Sequence, residues 1–366
     1  MAMSMPDLDQ HLRNCLDSTD SVEFQALIAH ERDAVDLCGA FGTAARAIDD
    51  GIAARLHLLR TIHPDLNRFC QQVLGWPRSP LTIAWTLWLP LAQWISKNQQ
   101  TLGHPIIQGI LGGQGTGKTT LTAILSRILT KLGHKVCCLS IDDVYLTWHE
   151  RQQLKKQDPR LIWRGPPGTH DVALALSTLE ALRAGHPTVV PRFDKSVRGG
   201  QGDRAAGEPV TGTTITLFEG WFVGLQPLPP ERLGADQLPA MPWPIETAAD
   251  LAFAQDSNMR LRDYLPLWDQ LDHLVVLNPV DYRFSQAWRR EAEQVMTDKG
   301  RPGMSDRDID QFVLYFWRSL HPDLFLPHLL GISGSKSVYC PRNERQPADL
   351  VVEIDEHHTP CRIYAP

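Results

Sequence analysis

The chain has 366 residues, 43% of them hydrophobic, and a formal net charge of −6, which is enough to bury a substantial core in one large or two modest domains. The acidic balance argues against a generally basic surface for nucleic acid. Seven cysteines, an odd number with no C-x-x-C pair, argue against a disulfide framework or a zinc site.

Residues 1–20 carry Asp7, Asp9, Asp17 and Asp20 and lack the basic start and apolar stretch of a secretory signal. A soluble, cytoplasmic, monomeric protein is expected, with no membrane and no nucleic-acid partner. Residues 1–100 read as a helical N-terminal extension. Phe24, Leu27, Ile28 and then Ile52, Leu56, Leu58 and Leu59 have helical spacing, punctuated at His63-Pro64-Asp65 and Gly75-Trp76-Pro77. Leu81 to Ile95, with Trp85, Trp88 and Trp94, is too short to span a bilayer and reads as a buried helix.

From residue 101 the pattern becomes alternating strands and helices, as in an α/β domain with a mainly parallel sheet covered by helices. Ile106–Leu111 is an apolar run suited to a buried strand. It leads into Gly112-Gly113-Gln114-Gly115-Thr116-Gly117-Lys118-Thr119, which fits the phosphate-binding loop G-x-x-x-x-G-K-[ST] of a P-loop NTPase. Glycines let successive N–H groups close around phosphate oxygens, and the following helix adds its positive end. Residues 112–120, ending in Thr120, are therefore the expected ATP site. Lys118 is placed for the β/γ-phosphates and Thr119 for Mg²⁺. Leu121, Ile124, Leu125, Ile128, Leu129 and Leu132 continue as a helix that Gly133 ends, and residues 136–141 form the next strand.

Ligands of parallel sheets gather at the carboxyl ends of the strands, so the residues there matter most. After strand 136–141 come Asp142, Asp143 and Tyr145. Asp142 is the candidate general base for an alcohol acceptor; Asp143 is placed to assist or to cap the next helix. The segment 163–171 is a Gly/Pro-shaped loop in which His170 is a candidate substrate contact and Asp171 a candidate cap or substrate contact. Beyond an expected edge strand at 188–190 lie Arg192, Lys195, Arg198 and Arg204, four cations among glycines that suit a small anion. Strand 214–218 ends in Glu219, the candidate Mg²⁺-supporting acid. Residues 226–244 are proline-rich and read as a surface excursion. Strands are also expected at 273–277 and 349–354, and helices at 171–184, 283–297 and 305–320. Arg289 on the helix 283–297 is the candidate lid arginine. His357-His358 are expected to face solvent, and Cys340 and Cys361 to be unpaired, buried thiols.

Five motifs occur in the order seen in plant-type D-glycerate 3-kinases. They are Ser140-Ile141-Asp142-Asp143-Val144-Tyr145-Leu146, Arg164-Gly165 with Gly168-Thr169-His170-Asp171, Pro191-Arg192-Phe193-Asp194-Lys195-Ser196, Gly202-Asp203-Arg204, and Leu217-Phe218-Glu219-Gly220-Trp221. Trp288-Arg289 with Ala292-Glu293, and Gly303-Met304-Ser305-Asp306, extend the likeness, which covers about residues 80–357. The chain thus resembles that family, within the uridine kinase, phosphoribulokinase and pantothenate kinase group of P-loop kinases. The resemblance implies ATP- and Mg²⁺-dependent phosphorylation of D-glycerate to 3-phosphoglycerate, with Asp142 as base, Arg192, Lys195 or Arg198 on the substrate carboxylate, and Tyr145 and Asp143 lining the site. The residues by themselves reach a P-loop small-molecule kinase. They leave open another metabolite of nucleoside, pantothenate or sugar type, and a nucleotide-hydrolysing switch.

Overall fold

The computed structural model describes residues 5–17, 21–33, 41, 48–298, 304–332 and 348–366. Cys340, Gly303 and the first residues of the chain lie outside them. All five strands expected in the sheet pair within one six-stranded sheet: β1 (Ile106–Gly112), β2 (Val136–Ser140), β5 (Ile215–Gly220), β6 (His273–Pro279) and β7 (Leu350–Ile354). Their order across the sheet is β2-β5-β1-β6-β7, all parallel, and β8 (Pro360–Tyr364) closes the β7 edge antiparallel. Parallel neighbours need crossovers, and the helices supply them on both faces.

Strand alternation divides the core in two. Ile106, Ile110, Ile215, Leu217, Val275 and Leu277 face one cluster. Ile107, Leu111, Phe218, Leu274 and Val276 face the other. The first cluster is built with α5 (Lys118–Lys131), which follows the phosphate loop. It also includes residues of α1 (Met5–Asp17), α2 (Ser21–Asp33), α3 (Ile48–Phe69) and α4 (Leu89–Leu102). The N-terminal helices and the phosphate-loop helix therefore share one apolar core, with Trp85 fully buried in it. The second cluster is covered by α7 (Val172–Arg183) and by residues 222–268.

Several expectations are revised. His63-Pro64-Asp65 does not interrupt the chain: Pro64 sits inside α3, whose packed face outweighs the lost backbone bond. The segment 188–190 is not an edge of the main sheet. It belongs to β3 (Thr188–Asp194), paired antiparallel with β4 (Asp203–Val210) in a separate two-stranded ribbon. The sequence Asp-Arg-Ala-Ala-Gly-Glu-Pro-Val of β4 has no apolar alternation, because neither of its faces is buried. Also unforeseen were α6 (Trp148–Gln157), with its Thr147–Glu150 capping box, and α8 (Ala248–Arg260), capped by Thr247 and Asp250. The chain continues through α9 (Phe284–Asp298), α10 (Asp306–Ser319) and α11 (Pro322–Leu329). Cys361 is exposed on β8, not buried. Among the described residues no helix is long and apolar enough to cross a membrane.

Candidate active site

The carboxyl ends of β1, β2 and β5 bring the phosphate loop, Asp142 and Glu219 to one edge of the sheet. In register, Ser140 lies beside Glu219 and Leu111 beside Gly220. The loop turns at Gly115 (φ 76°) and Gly117 (φ 82°), which lead into α5. A Cβ on Gly112 would meet Thr116 Oγ1 at 2.5 Å, and one on Gly115 would meet Trp288 Cβ at 2.6 Å. The loop is drawn onto the Gly113 carbonyl, which accepts from Thr116 Oγ1 at 2.9 Å and from Lys118 Nζ at 3.3 Å. The amide nitrogen and oxygen of Gln114 are buried with no partner. Thr120 lies in the first turn of α5.

Thr119 donates to Glu219 Oε1 at 2.9 Å. Glu219 is 4% exposed, and its Oε2 has no hydrogen-bond partner. A hydroxyl and a buried carboxylate with an oxygen to spare form a hard-oxygen set that suits Mg²⁺. Among the described residues no group of three or more His, Cys, Asp or Glu forms a metal cage.

Asp142 follows β2 on the turn Ile141–Val144, capped by Ser140. Its Oδ1 accepts from the Tyr145 hydroxyl at 2.7 Å and its Oδ2 from Lys195 Nζ at 2.6 Å. Burial opposes its ionisation, but the Lys195 charge and these two hydrogen bonds outweigh it. The carboxyl is held well below the usual carboxylate range. Burial, with Asp142 beside it, pushes the Tyr145 hydroxyl well up, so it stays a donor. Asp143 is committed to the backbone: its Oδ2 accepts from Ser140 N at 3.0 Å and faces Arg192 at 3.3 Å, and burial pushes its pKa up.

The cations sort by what they already hold. Arg192 bridges Asp143 and Glu208, the latter at 2.8 Å. Arg204 pairs with Asp171 at 2.6 Å, while Asp171 Oδ1 caps α7 through Leu174 N at 2.9 Å. Arg198 pairs with Asp203 at 3.3 Å, lies over the Trp148 ring and adopts φ 56°. Among the described residues Lys195 pairs with Asp142 alone, at 2.6 Å. Arg164, not singled out from the sequence, donates to the carbonyls of Gly200 and Gln201 at 2.9 Å and lies over the rings of Tyr145 and Phe193. It forms no ion pair with a carboxylate among the described residues.

Arg289 pairs with Glu293 at 3.0 Å and lies over Phe312, with its Nε buried and unpartnered. His170 is 5% exposed, stacks on Tyr145 at 4.5 Å, and bonds Tyr264 through Nδ1. His358 does more than face solvent. It stacks on Trp288 at 4.3 Å, and its Nε2 reaches the Gly115 carbonyl at 2.7 Å.

No family model matches the chain. The Arabidopsis thaliana chloroplastic D-glycerate 3-kinase is 33% identical over 268 residues, 70% of this chain and 54% of its own length. The chain thus spans about half the length of that relative. An uncharacterized kinase, mug58, of Schizosaccharomyces pombe is 34% identical over 62% of this chain and 83% of its own length. The solved D-glycerate 3-kinase of Cryptococcus neoformans superposes with a TM-score of 0.66 at 26% identity, covering 76% of this chain and 99% of that one.

The chain belongs to the D-glycerate 3-kinase family of P-loop kinases. Three features of the site received no functional role from the sequence. Arg164 and Tyr264 meet the site from distant loops, and His358 reaches the phosphate loop from the turn after β7. Arg164 did carry a signal, as an arginine opening a Gly/Pro-shaped loop. Tyr264 and His358 carried none.

Proposed function

We propose that this kinase transfers the γ-phosphoryl group of ATP to the 3-hydroxyl of D-glycerate, giving 3-phosphoglycerate and ADP. The observation that carries the reading is the contact between Asp142 and Lys195: a base and a lone ammonium at 2.6 Å, beside Arg164. Such a site suits an acceptor that carries both a hydroxyl and an anion. The names of the Arabidopsis and Cryptococcus relatives supply glycerate.

Residues 112–120 would hold the nucleotide phosphates, with Lys118 against their charge. Thr119 and Glu219 would hold Mg²⁺, which when bound neutralises charge on the β- and γ-oxygens. Arrival of the substrate carboxylate draws Lys195 from Asp142, and Arg164 adds a guanidinium. Asp142, steadied by Tyr145, then accepts the hydroxyl proton as the oxygen attacks phosphorus and the bond to ADP breaks. Arg289, once released from Glu293, would cover the transferring group.

A second reading has one observation in its favour. An aromatic-lined cavity beside Gly112–Gln114, walled by Trp221, Tyr282, Phe316 and Trp317, would suit an acceptor with an apolar ring. Its water-accessible volume is about 60 Å³. At 10–15 Å³ or more per water that is room for roughly a handful of waters, too little for a nucleoside without movement.

The test is ADP release with Mg²⁺·ATP and D-glycerate, with the product's phosphorylated position identified. 3-Phosphoglycerate supports the reading. Turnover only with nucleosides moves the assignment to the second, and turnover with no acceptor tried removes both.

A further inference from the structure

Tyr264 closes the turn Leu261–Tyr264, fully buried, with its ring against Phe222 and Trp268. Its hydroxyl oxygen accepts from the Gly168 backbone N–H at 2.9 Å and lies 2.8 Å from His170 Nδ1. Burial raises the Tyr264 pKa, so the hydroxyl keeps its proton. That proton needs an acceptor, and His170 Nδ1 is the one the hydrogen-bond network offers. Had Nδ1 been the donor, the tyrosine proton would be buried unpaired, at a cost of about 1–3 kcal/mol. Burial also pushes His170 down to about 3, so the ring is neutral and carries one proton. With Nδ1 accepting, that proton sits on Nε2. His170 Nε2 is itself buried with no partner. The ring stacks on Tyr145, whose hydroxyl holds Asp142. An orphaned donor this close to the candidate base calls for an explanation, and a ligand oxygen supplies one.

We infer that Tyr264 is a positioning residue that locks His170 in its Nε2–H tautomer, presenting that N–H to an oxygen of the phosphoryl acceptor. The inference rests on the proposal that the acceptor binds beside Asp142. It does not depend on the acceptor being glycerate. A fixed donor without charge suits a hydroxyl or carboxylate oxygen and leaves the anion's charge to Lys195 and Arg164. Gly168 is part of the same device. Its φ of 92° turns its N–H onto Tyr264, and a Cβ there would meet Arg260 Cδ at 2.8 Å.

The test uses the full chain labelled with ¹⁵N-histidine and long-range ¹H–¹⁵N correlation, with His170 assigned by its loss in His170→Gln. The expected result is an Nε2-protonated neutral ring that does not titrate between pH 5 and 8. In Tyr264→Phe the fixed tautomer should give way to a mixture. With D-glycerate, His170→Leu should raise the acceptor KM ~10–100-fold with the ATP KM unchanged, the effect of losing one hydrogen bond to a charged group. His170→Gln, which keeps an N–H near that place, should recover at least about tenfold of it. An Nδ1-protonated ring, or titration near neutrality, overturns the inference, as does a His170→Leu enzyme with the wild-type acceptor KM. Should Tyr264→Phe fail to fold, the wild-type spectrum and the Leu/Gln contrast still decide. Should glycerate prove inert, the function proposal fails on that count, while the tautomer measurement, which needs no substrate, still judges this one.

Discussion

The two halves of the site are built in opposite ways. The proposed phosphate half is one run of nine residues, 112–120, whose working groups would be largely backbone N–H. The proposed acceptor half is assembled from Asp142 and Tyr145 after β2, Arg164 and His170 in one loop, Lys195 beyond β3, and Tyr264 from a turn beyond α8. Its working groups are side chains, and most of them are already bonded to each other. A half made of backbone tolerates side-chain change except where a Cβ would intrude. A half made of interlocked side chains is disturbed through any member.

The sharpest way to break this comparison is Asp142→Asn. The amide keeps the shape and can still accept from Tyr145, but it cannot take the proton. Turnover should fall ~10²–10⁴-fold, the usual worth of a general base, with ATP affinity nearly unchanged. Nucleotide binding by calorimetry, set beside kcat, separates the halves. Near-normal turnover would remove Asp142 as the base, and parallel loss of ATP binding would show that the halves are not independent.

Lys195→Met is the next step down, and its sign follows from the electrostatics. Lys195 and Tyr145 hold the Asp142 carboxyl below its ordinary value against the effect of burial. Activity that needs ionised Asp142 is then lost only as pH falls through that lowered value. Without the ammonium the carboxyl rises, so the acid limb of kcat/KM should move to higher pH. The acceptor KM should rise ~10–100-fold from the lost charged contact. The pairing's contribution to stability has the same sense. It is present above the unfolded value of about 4 and fades as pH falls toward the lowered folded value. An unmoved acid limb would mean that another group sets it.

The phosphate half was legible because its motif is contiguous and needs specific residue types. The placement of Asp142 and Glu219 at strand ends was legible because apolar runs mark strands. The partners were not legible. Nothing near Arg192 in the chain announces that it pairs with Asp143 and Glu208, nor that Asp171 takes Arg204, because the β3–β4 ribbon carries Arg192, Glu208 and Arg204 to one another and to carboxylates distant in the chain. Its second strand, β4, has no buried face, so hydrophobic periodicity could not reveal the ribbon. Pro64 misled for a related reason. A local breaker was read without the long buried face of α3 that overrides it. Tyr264 carries no signal in the sequence; by burial it is one more core aromatic, and only its hydroxyl partners set it apart.

Arg198 gives the smallest and most discriminating test. The cluster of cations suggested a substrate contact, yet the structure pairs this side chain with Asp203 over Trp148, 55% exposed, on a backbone at φ 56°. The left-handed conformation costs a non-glycine residue ~1–2 kcal/mol, and glycine removes that cost while adding ~0.5–1 kcal/mol of chain entropy. Arg198→Gly should therefore leave stability level or raise it by up to about 1 kcal/mol, while the acceptor KM changes less than about threefold, as for an exposed ion pair. Strain of this kind persists at sites where function requires the residue. A stabilised protein with a much weaker grip on the acceptor would place Arg198 beside Lys195 and Arg164 in the acceptor half. A neutral result leaves the carboxylate to those two residues.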